Sequence, residues 1–184
     1  MDINVRNQFF VVRHGRAENN DLDIVSCKYE TQEPYGLSKK GKDEILKEAE
    51  EYKDFDVIYT SPYRRAKETA SLFANTSHCE IVEDERLEEF DTGILDMKPS
   101  EAFSEAMKNH SEVDYVFENG ESFFNVSERL IDFITEINTK QQDKKILIVT
   151  HGVPAEILVD LFKDVPIKKW DKCIVKGQVF PLKK

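Results

Sequence analysis

No apolar run in these 184 residues approaches the roughly 20 that a helix needs to cross a bilayer. The chain opens on Met1-Asp2-Ile3-Asn4, with no basic stretch leading into an apolar one, so no secretory leader is expected. Cysteine is scarce: Cys27, Cys79 and Cys173 are odd in number and far apart. Such spacing fits neither a zinc motif nor a disulfide framework, and a reducing cytoplasm is the expected setting. The seven glycines form no G-x-G-x-x-G and no P-loop, which removes the common nucleotide cradles. His-x-x-x-His, paired Cys and the G-x-S-x-G elbow are all missing, so neither a metal nor a cofactor is expected, and no serine nucleophile of that type. Positive charge is short as well, with 26 Lys and Arg against 36 Asp and Glu, a net charge of −10. Nucleic acid and anionic membranes are poor partners for such a chain. An anionic small substrate would need a locally basic site against that acidic background.

What is present is the pattern of an α/β protein. Hydrophobic residues make up 40% and charged residues 34%, as in a globular chain, and the length suits one domain over 1–184. Phe9-Phe10-Val11-Val12 is a short β-branched and aromatic run that reads as a buried central strand, and it leads straight into Arg13-His14-Gly15. The device returns at Lys145–Thr150, followed by His151-Gly152. Two of the four histidines therefore sit at strand ends, where open α/β sheets bind ligands. Between them, Glu18 to Gly36 reads as a loop, and a helix runs from an N-cap at Ser38 to about Tyr52. Phe55–Thr60 is a strand, and Ser61-Pro62 has the form of an N-cap and first helical residue for a helix through Phe73. Cys79–Glu83 is a short strand, and helices are expected over Pro99–Asn109, Ser122–Thr139 and from Pro154 to Phe162. A strand or hairpin follows over Cys173–Phe180, with a turn near Gly177. Strands alternating with helices imply a mostly parallel sheet covered on both faces, a three-layer α/β/α sandwich.

The strand-end histidines lie in a sequence with arginines at Arg13, Arg16, Arg64 and Arg65. A histidine can be a covalent nucleophile, and a guanidinium matches phosphate bidentately. Together they point to phosphoryl transfer. Arg64 or Arg65 falls in the first turn of its helix, where an anion can be held between guanidinium and helix end. In the acidic cluster Glu83, Asp84, Glu85, Glu88, Glu89 and Asp91, composition singles out no member.

The ordered set Arg13-His14-Gly15, Asn20, Leu37–Gly41, Ser61–Ala70, Leu87–Gly93, Gly120-Glu121-Ser122 and Val149–Gly152 resembles the histidine phosphatase superfamily, the phosphoglycerate mutase-like proteins. The resemblance implies that fold and a set of roles. His14 becomes the phosphohistidine nucleophile. Arg13, Asn20, Arg65, His151 and Gly152 form the phosphate pocket, with Arg65 chosen over Arg64 because the pocket arginine directly precedes Ala. Glu89 supplies the leaving-group proton and then helps activate water, and Glu121 supports the site. Departures are Arg16-Ala17 after Arg-His-Gly, and Ile94–Met97, which lacks the usual Trp and second Gly. The segment from Ile94 to Asn119 is where relatives carry lid material, and here it is short. That favours a metal-independent phosphomonoesterase acting on a small phosphorylated metabolite or a phosphoprotein. The alternatives are a phosphoglycerate mutase-type transfer, a protein phosphohistidine phosphatase and a non-catalytic phospho-ligand binder. Tyr35, Phe90, Met97, Lys98 and Phe103 are candidates for the pocket wall.

Overall fold

The computed structural model describes residues 5–110, 112–166 and 174–183. Its strands are β1 (Gln8–Arg13), β2 (Val57–Thr60), β3 (Glu80–Glu83), β4 (Lys145–Thr150) and β5 (Val179–Leu182). Among the described residues the α-helices are α1 (Glu18–Asp21), α2 (Tyr29–Gln32), α3 (Lys39–Glu51), α4 (Arg64–Ser77), α5 (Ser100–Asn109), α6 (Phe123–Lys140) and α7 (Gly152–Phe162). None of the helices there is long and apolar enough to cross a membrane. The sheet order is β3-β2-β4-β1-β5, parallel throughout except for β5, which lies antiparallel on the edge of β1.

Successive strand residues face opposite sides of a sheet. Val11 accordingly joins one buried cluster and Val12 the other. On the Val12 side, α3 and α4 bring Ile45, Ala49, Ala66, Ala70 and Phe73. On the Val11 side, α6 and α7 bring Val126, Leu130, Phe133, Ile134 and Leu158. Burying each large apolar side chain contributes on the order of 1.5–3 kcal/mol, enough for these faces to hold the helices in place. The result is the expected three-layer α/β/α sandwich.

Local chemistry sets the helix ends. Ser38 Oγ accepts from Gly41 N at 3.1 Å and starts α3. Ser122 and Asn125 cap each other reciprocally at the start of α6, both bonds at 3.1 Å. A left-handed His78 (φ 53°) ends α4. Two expectations need correction. The polar stretch after β1 contains α1 and α2, each of four residues and too short to show a helical period. The helix expected to begin at Pro62 begins at Arg64, because Tyr63 is extended (φ −70°, ψ 138°). Of the C-terminal expectation, Cys173 lies outside the described residues, Gly177 turns with φ 79°, and the strand spans Val179–Leu182.

The register is what builds a site. Arg13 pairs with Thr150, and Thr60 pairs with Val149. His14 N donates to Thr150 O at 2.9 Å, and Ser61 N donates to Val149 O at 3.0 Å. Three parallel strands thus deliver Arg13-His14, Ser61 and Thr150-His151 side by side at one carboxyl edge.

Candidate active site

His14 is 2% exposed. Its Nδ1 lies 2.8 Å from Gly15 O. A carbonyl only accepts, so Nδ1 carries the hydrogen and Nε2 carries the lone pair. Nε2 accepts from Arg65 Nε at 3.1 Å. Burial, reinforced by the charges of Arg65 and Arg13, holds the imidazole well below the ordinary histidine range. The Nε2 lone pair is therefore available at neutral pH and into mildly acidic solution. Thr69 Oγ1 accepts from Gly15 N at 3.1 Å and donates to Arg65 O at 2.8 Å, which ties this strand end to α4.

His151 stands edge-on to His14, with ring centroids 5.1 Å apart. Its Nε2 is 2.8 Å from Ser61 Oγ. That oxygen already accepts from Tyr63 N at 3.3 Å, so its own hydrogen can go to Nε2. Nδ1 then bears the hydrogen, a buried donor with no partner among the described residues. Burial first and Arg65 second hold this ring, too, well below the ordinary range. The sequence marks Ser61 only as a cap, and no local signal makes it a partner for a histidine 90 residues away.

Arg65 is fully enclosed. Its Nη2 donates to Ser26 O at 2.8 Å, while Nη1 is buried with no partner among the described residues. Burial pulls the guanidinium down to about 10, so it stays charged at neutral pH. Arg64 faces outward and pairs with Glu68 at 2.9 Å. The N–H of Arg64 goes to Gln32 Oε1 at 2.8 Å, so a side chain closes the start of α4 that the sequence leaves open to an anion. Arg13 Nη1 donates to Ile174 O at 3.3 Å. A Cβ at residue 152 would come within 3.3 Å of Arg13 Cζ, and Gly152 leaves that space to the guanidinium. Arg16 turns away to Asp21, with Nε to Oδ1 at 2.6 Å.

Glu89 receives three backbone N–H bonds. Oε2 accepts from Gly152 at 3.0 Å, and Oε1 accepts from Phe90 at 2.9 Å and Val153 at 3.3 Å. The first turn of α7 thereby faces a carboxylate, as its dipole favours. Arg129 fixes the segment that carries Glu89. It donates to Arg86 O at 2.5 Å and Glu89 O at 3.3 Å, and Nη2 reaches Glu121 Oε1 at 2.8 Å. Glu121 Oε1 also accepts from Asp91 N at 3.0 Å. The supporting place given to Glu121 is thus a backbone brace, and Arg129 is the half of it that the sequence reading missed.

A cavity of about 180 Å³ opens on these groups, with Arg13, His14, Asn20, Arg65, Glu89 and Gly152 all on its wall. His151 lies outside that wall, beside His14. Asn20 also uses Oδ1 to accept from Ala17 N at 3.1 Å. Of the candidate wall residues, Phe90 and Phe103 reach the cavity, and Tyr35, Met97 and Lys98 do not. The segment following Ile94 supplies α5, which brings Ser100, Phe103 and Ser104 to the cavity wall. Cys27 is on the wall too, but burial pushes its thiol up to about 12, so it is not a competing nucleophile.

These buried histidines fix a pH response of stability. Both have folded-state values below the unfolded one, so the unfolded chain binds more protons below about pH 6.5. Their contribution is complete above about pH 6.5 and is lost as the pH falls through that value. Glu156, raised to about 8 by burial, runs oppositely and favours the folded state at lower pH. Two histidines that stay neutral in the fold outweigh that opposing carboxyl, so unfolding takes up protons on balance in mildly acidic solution. Urea midpoints should therefore fall from pH 7 to pH 5, and fall more steeply in Glu156→Gln. A midpoint that is flat or rising toward pH 5 would contradict the buried neutral pair.

The fold is phosphoglycerate mutase-like. It superposes on the solved structure of YhfR from Bacillus stearothermophilus with a TM-score of 0.83 at 26% identity, over 94% of this chain and 89% of that one. Residues 9–178 match the profile of the histidine phosphatase superfamily (branch 1), and the protein belongs to that superfamily. It is 32% identical over 151 residues to the uncharacterized phosphatase PhoE of Bacillus subtilis, across 81% of this chain and 74% of that protein. Identity to phosphoserine phosphatase 1 of Hydrogenobacter thermophilus is 26% over 171 residues, across 89% and 79% of the two chains.

Proposed function

We propose that this chain, as one cytoplasmic domain, is a metal-independent phosphomonoesterase that works through a phosphohistidine on His14. One observation carries the reading: a neutral histidine with its lone pair on Nε2 faces a buried arginine whose Nη1 has no partner among the described residues. An incoming phosphate draws the Arg65 guanidinium onto its oxygens, which releases the lone pair of His14. Arg13 adds charge, and the Nδ1–H of His151 is a further donor to the developing equatorial oxygens. Nε2 then forms a bond to phosphorus as the bond from phosphorus to the leaving oxygen breaks. Glu89 hands that oxygen a proton, because an alkoxide leaves poorly. The proton can arrive with the substrate, since a phosphomonoester has its second pKa near 6. Water next gives a proton to Glu89 and its oxygen bonds to phosphorus. The P–N bond breaks, phosphate departs, and His14 is neutral again.

The relatives named as phosphatases support hydrolysis over transfer, and the one named for a small metabolite, phosphoserine phosphatase 1, supports a small metabolite over a phosphoprotein. Phosphate release from an aryl phosphate is expected to persist in excess chelator, with kcat changed less than about twofold, because histidine and arginine do the work that metal ions do elsewhere. Chelator-induced loss restored by a divalent cation would refute the metal-independent route. With 3-phosphoglycerate, phosphate release should outrun formation of 2-phosphoglycerate. The reverse ratio would make the protein a mutase.

A further inference from the structure

Asn19 is 5% exposed and lines the cavity beside His14 and Arg65. Its Nδ2 donates to Ile24 O at 3.3 Å. That carbonyl can only accept, which fixes the orientation of the amide and leaves Oδ1 as the free end. Oδ1 is buried with no hydrogen-bond partner among the described residues. A buried acceptor without a donor is costly in an interior, and the groups around it do not relieve it. Once the ester's proton has passed to Glu89, the phosphate dianion offers only acceptors. Arg65 and Arg13 are committed to the phosphate, and the rest of the lining joins the apolar Ile24, Val25, Phe90 and Phe103 to the hydroxyls of Ser26, Thr92, Ser100 and Ser104, none of which bonds Asn19 Oδ1. The part of the substrate that is not phosphate can supply the missing donor.

We propose that Asn19 is a specificity-determining residue whose Oδ1 accepts a hydrogen bond from a hydroxyl of the leaving alcohol, so that the substrate is the monophosphate of a compact polyol. The assignment rests on the phosphatase reading and names the substrate class for it. The cavity of about 180 Å³ is smaller than the roughly 300–1,000 Å³ of sites for drug-sized ligands and suits a short alcohol, and a hollow of about 530 Å³ that shares Cys27 and Glu89 with it lies alongside. Its carbon chain lies along Phe90 and Phe103 while one hydroxyl meets Asn19. A site built around a hydroxyl rejects the analogue that lacks it, because its own polar atom is then left unmet.

The test compares glycerol 1-phosphate with n-propyl phosphate, which have the same chain length and differ in two hydroxyls, and uses an aryl phosphate as a control for hydrolysis. Wild type should favour glycerol 1-phosphate in kcat/KM by about tenfold, the effect of one net hydrogen bond. Asn19→Leu, close in shape but without the acceptor, should bring that ratio near one, mainly by raising KM for glycerol 1-phosphate. Absence of any preference in wild type overturns the proposal whether or not the variant folds. A loss shared equally by both alkyl esters overturns it also, since Asn19 would then be meeting a hydroxyl of the phosphate itself. Turnover of the aryl phosphate but of neither alkyl ester overturns the proposal and spares the phosphatase. No turnover of any of the three overturns the phosphatase, and the selectivity with it.

Discussion

His14→Ala should cut phosphate release from an aryl phosphate by at least about ten-thousand-fold, with folding retained. The size of the effect reflects covalent catalysis: without Nε2 there is no phosphoenzyme, and water must attack the ester directly. The neighbours are poor substitutes. His151 uses Nε2 on Ser61 and stands beside His14 off the cavity wall, so neither ring nitrogen is placed to attack a phosphorus bound there. Cys27 remains a thiol, with its value pushed up to about 12. Folding should survive because the change removes a polar ring that is buried and neutral, while the Arg13–Thr150 register that shapes this edge is backbone. Stopped assays for phosphate, beside a thermal melt, read both halves. A loss below about tenfold with an intact fold would mean that another group is the nucleophile.

Arg65→Met should lower kcat by about 10²–10³, as the loss of one preorganised donor to a developing anion does. Stability should move in a different way. Arg65 is a buried cation with one carbonyl partner and one histidine partner. Replacing such a charge by an apolar chain of similar volume is often neutral or stabilising, so the melting temperature should stay within about 5 °C of wild type or rise. The pH profile supplies a third readout. After burial itself, Arg65 is the largest influence holding His14 below its ordinary value. Removing that charge lets the imidazole take up a proton at higher pH, so the acid limb of the residual activity should shift upward. A variant that loses activity and unfolds together, with no shift of that limb, would make Arg65 a packing residue instead.

The parts of this site that can be read along the chain are those set by strand ends. Phe9–Val12 and Ile146–Val149 announce buried strands by composition, and the residues just after each strand must emerge at one edge of a parallel sheet. That brings Arg13, His14 and His151 together without any knowledge of side-chain contacts. Glu89 is different. It lies in a run of acidic residues, and only the resemblance to a family separates it from Glu88 and Asp91. Its place is set by N–H groups of α7 more than 60 positions away. The same holds for Ser61, Thr69 and Arg129, whose partners are distant in the chain and leave no periodicity to detect. The late start of α4 shows how a tertiary contact overrides a local signal. Ser61-Pro62 is a good helix start by itself, but Tyr63 is extended and the helix waits until Arg64, whose N–H is met by Gln32 Oε1 from 32 positions away. Asn19 is hidden for the opposite reason: the neighbouring Asn20 is the one that fits the family pattern, while the unmet acceptor belongs to Asn19.

The central claim is the covalent intermediate, and the most direct measurement is to quench the working enzyme and look for it. The protein is mixed with a phosphomonoester labelled on phosphorus, stopped in alkali after a few milliseconds, digested and mapped by mass spectrometry. The predicted result is a phosphoryl group on Nε2 of His14 that forms as fast as the alcohol is released and is absent in His14→Ala. Rapid turnover with no label on His14, or with label on another residue, would contradict the covalent route.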